Sequence, residues 1–221
     1  MRWQVKPLQS TIQLRKMKAF WDARYAQQTY SYGKEPNVYF KNTLKTLAPG
    51  KILLAAEGEG RNAVYAASLG WEVYAYDFSE FAYQKALKLA AEKGVSLNYQ
   101  IGSLSDLEFP DGYFDAIGLV YVHFPNTLSK ANHQLLTQLL KPKGRVILEA
   151  FSKNHLSFQK QNPKVGGPKN LNQLYDTSQL KAEFKNFDMI ELKEEVIELA
   201  EGIFHQGQSS VVRMHAQKGE Y

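Results

Sequence analysis

From Lys51 onward, short apolar runs alternate with amphipathic stretches. Residues 52–56 form an unbroken apolar run of strand length, the pattern of a strand covered on both faces. Residues 61–69 then read as a helix stopped by Gly70, and residues 72–77 as a strand ending in Asp77. Ser79 is placed to cap the next helix, which ends at Gly94. Residues 97–101 and 116–121 are further strands, and a helix from about 128 to 140 ends at Lys141-Pro-Lys-Gly144. Residues 145–150 are the next strand. This β-α-β-α order predicts a parallel sheet with helices on both faces.

Both ends of the chain depart from that rhythm. Residues 1–16 are polar and read as irregular, a flexible extension ahead of one domain spanning 17–221. A helix begins near Met17 and carries Phe20, Trp21, Arg24 and Tyr25, and a turn-rich segment covers 30–37. Pro36 and Asn37 open a helix over 38–47, which stops before Pro49-Gly50. Past the fifth strand, residues 151–176 read as a long polar loop and 178–187 as a short helix. Two strand-like runs, 189–199 and 209–216, close the chain. The ten or so residues between them are too few for a crossover helix, so an antiparallel hairpin is expected.

A length of 221 residues suits one domain. The absence of cysteine excludes disulfides, thiolate metal sites and a thiol nucleophile. No apolar run approaches the roughly 20 residues that span a bilayer, so a cytoplasmic protein without membrane contact is expected. The net charge of +5 comes from Arg2, Lys6, Arg15, Lys16 and Lys18, since the rest holds 22 basic and 22 acidic residues. A basic excess confined to a tail argues against nucleic acid as a partner.

Chemistry concentrates after the first strand, in Ala56-Glu-Gly-Glu-Gly60-Arg-Asn62. Glycines in a strand-to-helix turn let a ligand approach the backbone. Asp77 ends the second strand, 19 residues after Gly58, where a carboxylate can accept from two ribose hydroxyls. Turn and acid together point to a nucleoside cofactor. Glu57 and Glu59 in the turn would repel a pyrophosphate, which favours S-adenosylmethionine, a sulfonium with no phosphate, over a dinucleotide.

The glycine turn, Asp77-Phe78-Ser79, Phe114-Asp-Ala-Ile117 and Leu140-Lys-Pro-Lys-Gly144 resemble the core of class I S-adenosylmethionine-dependent methyltransferases. Phe20-Trp-Asp-Ala-Arg-Tyr25 and Tyr32-Gly-Lys-Glu-Pro-Asn37 are similar to the lead-in of tellurite- and thiopurine-methyltransferase-like members. The resemblance implies a Rossmann-like three-layer α/β sandwich with a mostly parallel seven-stranded sheet and the C-terminal antiparallel hairpin. Cofactor contacts are expected from Ala56, Glu57 and Gly58, from Asp77 and Phe78, from Ser103, Leu104 and Val120, and from Tyr32, which lies in a turn beside Gly33 in a segment placed to fold over the methionine end. Three positions depart from the pattern, and the first two are Leu54 in place of the usual acid and Ala56 in place of the usual glycine. Glu57 or backbone carbonyls must then hold the methionine ammonium, and Ser103 replaces the aspartate that commonly faces adenine.

Methyl transfer from a sulfonium needs alignment and dryness more than a nucleophilic residue. Some acceptors also need a base, and histidine is the usual one. His123 follows the fourth strand and either faces the pocket or is satisfied by backbone in a tight loop. His205, between the last two strands, either lines the acceptor site or is an exposed loop residue. His133 and His155 read as surface residues. Trp21, Tyr25, Tyr30 and Tyr32 form an aromatic cluster, as core packing or as a face for the sulfonium, and Arg24 reads as a solvated helix residue or an anion contact. The expected reaction is methyl transfer from S-adenosyl-L-methionine to a small-molecule acceptor, by a monomer or homodimer without metal. A regulatory S-adenosylmethionine-binding protein and an RNA or protein methyltransferase are the alternatives.

Overall fold

The structure is a computed structural model that describes residues 11–220. Seven strands form one sheet in the order β3-β2-β1-β4-β5-β7-β6. They are β1 (Lys51–Leu54), β2 (Glu72–Asp77), β3 (Asn98–Ile101), β4 (Phe114–Val120), β5 (Leu140–Phe151), β6 (Phe187–Glu201) and β7 (His205–Lys218). The first five are parallel, and β7 inserts antiparallel between β5 and β6. The sheet is therefore the mixed, mostly parallel one expected.

β1 sits centrally, between β2 and β4. Its side chains alternate between two cores because successive strand residues point to opposite faces. Leu53 packs with Ile117, Leu148 and, from the helical layer, Leu136 and Leu180. Ile52 and Leu54 pack on the other face with Phe40, Leu44, Ala63 and Ala66. The helices supplying these layers are α2 (Val38–Leu44), α3 (Arg61–Ser68) and α4 (Glu80–Glu92) on one side, with α5 (Asn126–Gln138) and α7 (Thr177–Glu183) on the other. α1 (Thr11–Tyr25) lies ahead of them in the chain, and α6 (His155–Gln161) follows β5. Among the described residues, no helix is long and apolar enough to cross a membrane.

Three sequence expectations are corrected. α1 begins at Thr11, not near Met17. Its first turns are built from Gln, Leu, Arg, Lys and Met, strong helix formers whose polar character resembles loop composition. The start of the proposed extension, 1–10, lies outside the described residues. Residues 151–176 are not one open loop, since α6 and two short 3₁₀ turns, Pro163–Val165 and Leu171–Gln173, occupy them. The closing hairpin is longer, with only residues 202–204 between β6 and β7. The start of β7 is polar, Gln206-Gly-Gln-Ser-Ser210, which hides it from an apolar-pattern reading. Those serines are buried and bonded: Ser152 Oγ donates to Ser210 Oγ at 2.8 Å, and Ser210 Oγ to Glu194 at 2.9 Å.

Candidate functional site

The carboxyl ends of β1, β2, β4 and β5 meet at one edge of the sheet, and the turns leaving them carry the candidate residues. After β1 the backbone adopts positive φ at Ala56 (46°), Gly58 (66°) and Gly60 (88°). Ala56 holds the left-handed conformation that its Cβ disfavours by roughly 1–2 kcal/mol, which is why glycine suits this position. Glycine at 60 is required by packing, because a Cβ there would stand 2.6 Å from Ala86 Cβ on α4.

Asp77 holds this turn. Its Oδ2 accepts from Gly58 N at 3.1 Å and its Oδ1 from Ser79 N at 2.9 Å. The helix that follows is capped by the Ser79 hydroxyl, which accepts from Ala82 N, so capping is not the role of Asp77. Burial pushes the Asp77 carboxyl up to about 6, against the backbone bonds it accepts. Each oxygen keeps a lone pair for a further donor. Phe78, half-buried, completes the strand end.

Glu57 has one oxygen committed to the start of α3. Its Oε1 accepts from Asn62 N and Ala63 N, both at 2.8 Å, in the first turn of α3. It is the carboxylate at that helix N-terminus, where the macrodipole favours an anion. Oε2 accepts only a long bond, 3.4 Å, from Asn62 Nδ2 and keeps capacity for a cation. Burial pushes this carboxyl up to about 7. Ser103 forms a capping box with Asp106, its Oγ donating at 2.7 Å and its N at 2.8 Å to the same carboxylate oxygen. Leu104 packs against the core beside it, and Val120 ends β4 half-buried.

α1 covers the turn. A Cβ at Gly58 would lie 2.7 Å from the Tyr25 hydroxyl, and Ser79 Oγ donates to Asp22 on the same helix at 2.6 Å. Trp21 stacks on Tyr25 at 5.4 Å between ring centres, so these two rings pack together. Arg24 is not solvated: its guanidinium lies 3.8 Å over the Phe204 ring and donates to the Tyr32 hydroxyl at 3.0 Å. Tyr32 O accepts from Arg61 at 3.1 Å, and the Tyr32 and His205 rings are 4.5 Å apart.

Beside the turn lies a buried polar network absent from the sequence reading. Glu201 Oε2 accepts from Arg61 and from His205 Nδ1, each at 3.0 Å, and Oε1 accepts from Asn37 at 3.2 Å. Asn37 also donates to Glu149 Oε1 at 2.6 Å, which Tyr121 joins at 2.9 Å, while Arg213 donates to Glu149 Oε2 at 2.5 Å. Burial raises the Glu201 carboxyl, but the Arg61 charge and the His205 bond outweigh it and hold the group at about 2. One signal was available: Glu149 interrupts an apolar strand run, and a carboxylate there demands partners.

The histidines are redistributed. His123 is satisfied by backbone: Nδ1 donates to Gln173 O at 2.7 Å and Nε2 accepts from Phe151 N at 3.3 Å. Burial lowers it to about 4. With both nitrogens taken by backbone, it braces the turn after β4, the backbone-satisfied arrangement of the two expected. His205 is buried, not an exposed loop residue, and sits between the Tyr32 and Tyr121 rings. His133 and His155 are likewise buried, contrary to their surface reading. His133 bonds Glu183 at 2.6 Å between α5 and α7, and His155 Nε2 donates to Gly166 O at 3.0 Å.

Residues 52–144 match the profile of a methyltransferase domain. No curated protein matches the chain by sequence. Among solved structures it is similar to a SAM-dependent methyltransferase from Methanosarcina mazei, with TM-score 0.68 and 17% identity over 85% of this chain and 100% of that one. It is similar to TehB from Haemophilus influenzae, with TM-score 0.66 and 16% identity over 91% and 66%. The 1,6-didemethyltoxoflavin-N1-methyltransferase of Burkholderia thailandensis, solved with 1,6-didemethyltoxoflavin and S-adenosylhomocysteine bound, gives TM-score 0.63 and 18% identity over 97% and 92%. At such identities the likeness is one of fold.

Proposed function

We propose, from the match of residues 52–144 to a methyltransferase-domain profile and from the seven-stranded sheet, that the chain is a class I S-adenosylmethionine-dependent methyltransferase that methylates a small molecule at the carboxyl edge of its sheet. The observation that carries the reading is the glycine turn bonded at 3.1 Å to Asp77. The residues fit a nucleoside without phosphates. The first N–H groups of α3, where a pyrophosphate would sit, are already bonded to the Glu57 carboxylate. The spare lone pairs of Asp77 suit ribose hydroxyls, Ser103 and Leu104 suit the adenine side, and Glu57 Oε2 suits the methionine ammonium. Tyr32 and Tyr121 offer aromatic faces that attract a sulfonium. Bound there, the cofactor supplies an electrophilic methyl carbon, and the chain's own groups orient the acceptor and exclude water. Tyr25 must leave Gly58 for a ligand to reach the turn. A small acceptor is supported by the balanced charge of the chain beyond its basic start.

S-adenosylhomocysteine at 100 times its dissociation constant is expected to add about 2.7 kcal/mol of stability. For a chain of this length that is a rise of roughly 5–10 °C in Tm, read by thermal denaturation, with NAD producing none. A flat response to millimolar S-adenosylhomocysteine would remove the cofactor assignment.

A further inference from the structure

We propose that His205 is the general base of the reaction, set in place by Glu201 and Arg61, and that the acceptor attacks through an atom bearing a proton: a hydroxyl, a thiol or a ring N–H. The inference rests on the methyltransferase reading and specifies the acceptor side of the same site.

Four observations converge. His205 Nδ1 is bonded to Glu201 Oε2 at 3.0 Å, and Arg61 grips the same oxygen at 3.0 Å. A carboxylate accepts only, so Nδ1 carries the hydrogen and Nε2 the lone pair. Nε2 makes no hydrogen bond among the described residues, unlike His123, whose two nitrogens are both taken. Gly166 lies against this edge of the ring without a side chain to cover it. A Cβ there would collide with Phe204 O and stand 3.0 Å from His205 Cδ2 and 3.5 Å from Nε2, and the Gly166 backbone (φ 73°, ψ −154°) is one that only glycine adopts readily. Finally, the base is tied to the cofactor turn: Arg61 directly follows Gly60, and Tyr121, 4.5 Å from the His205 ring, directly follows β4.

The electrostatics suit the role. Glu201 and Arg61 face His205 across one oxygen, the Tyr32 and Tyr121 rings flank it, and His155 and His123 lie nearby. Burial lowers the His205 pKa and Glu201 opposes that, so the ring is neutral at pH 7 and gains a carboxylate partner when it charges. In the step, Nε2 takes the proton of the acceptor X–H. The freed pair forms the X–CH₃ bond while the C–S bond breaks and its pair stays on sulfur. The positive charge lost by the sulfonium reappears on the imidazolium beside Glu201, which then releases the proton to water.

Spectroscopy, acceptor probes and two variants test this. In the full-length protein, ¹⁵N NMR of labelled histidine is expected to show His205 at pH 7 with Nδ1 protonated and Nε2 bare. Methyl transfer from labelled S-adenosylmethionine is then followed to catechol, thiophenol and N,N-dimethylaniline. Catechol or thiophenol is expected to accept and N,N-dimethylaniline, which has no proton to lose, is not. His205→Gln should lower kcat about 100-fold or more while S-adenosylhomocysteine affinity stays within twofold. Glu201→Asp, which keeps the charge but retracts it, should lower kcat with little change in KM and move the acid limb of the pH profile. A protonated Nε2, transfer to neither protic probe, or a His205→Gln kcat within threefold of the parent would each overturn the inference while leaving the methyltransferase reading intact. Failure of S-adenosylhomocysteine to bind the parent would instead overturn that reading and the inference with it.

Discussion

Asp77→Ala is expected to weaken S-adenosylhomocysteine binding about 10- to 100-fold. In the proposed site the carboxylate accepts from two ribose hydroxyls, and a hydrogen bond to a charged group contributes about 1.5–3 kcal/mol. The same substitution frees Gly58 N and Ser79 N, which Asp77 now holds at 3.1 and 2.9 Å, so the glycine turn loosens as well. A pH signature accompanies the loss. Burial raises the Asp77 carboxyl to about 6 from 3.8, so the ionised acceptor is present above that value. In the parent protein affinity should climb as pH rises through about 6, and in Asp77→Ala this climb should be absent. For folding the sign is opposite: a raised carboxyl favours the folded state fully below its unfolded value of 3.8, and that contribution is lost as pH rises through about 6. Calorimetric titration from pH 5 to 8 reads the binding terms. Affinity within twofold of the parent, with an unchanged pH profile, would reduce Asp77 to a fastener of the turn.

Arg61→Met is expected to cost about 3–5 kcal/mol of stability, because it leaves the Glu201 carboxylate buried without its cation. The pair is well covered, with side-chain exposures of 8% and 12%. The Arg61 charge, with the His205 bond, outweighs burial and holds the Glu201 carboxyl at about 2, below its ordinary 4.5. A depressed carboxyl stabilises above its unfolded pKa, so the parent should lose this contribution as pH falls from about 5 toward 2. Arg61→Met should show a flatter acid limb. The double variant Arg61→Met, Glu201→Leu should recover much of the loss, since removing both charges removes the uncompensated one. Urea unfolding of the three variants makes the comparison. A loss below 1 kcal/mol in Arg61→Met would mean that water or Asn37 satisfies Glu201 unaided.

The parallel core was legible because its signals are local. The run at 52–54 is buried on both faces, Ser79 caps α4, and Gly70 and Gly94 follow helix ends. The glycine turn and Asp77 were legible because their 19-residue spacing follows from one β-α-β unit. What escaped is what the fold assembles from a distance. Arg61 and Glu201 are 140 residues apart, and Asn37 and Glu149 are 112 apart. Nothing in their local neighbourhoods names the partner. The place of Glu57 in the turn was visible, but its bonds to Asn62 and Ala63 were not, because they depend on how α3 starts. His133 sits among polar neighbours on α5, and only the docking of α7 turns its face inward to Glu183. The start of β7 and the segment 151–176 escaped because polar side chains there are buried by bonding to each other, with no apolar alternation to betray them.

The central claim is that a nucleoside sulfonium cofactor lies across the glycine turn and Asp77. A crystal structure of the protein with S-adenosylhomocysteine tests it most directly. The expected result has the ribose hydroxyls on the Asp77 carboxylate, the Tyr25 hydroxyl displaced from Gly58, and Glu57 still bonded to the first turn of α3. A ligand bound elsewhere, with Tyr25 in place over Gly58 and no contact to Asp77, would contradict it.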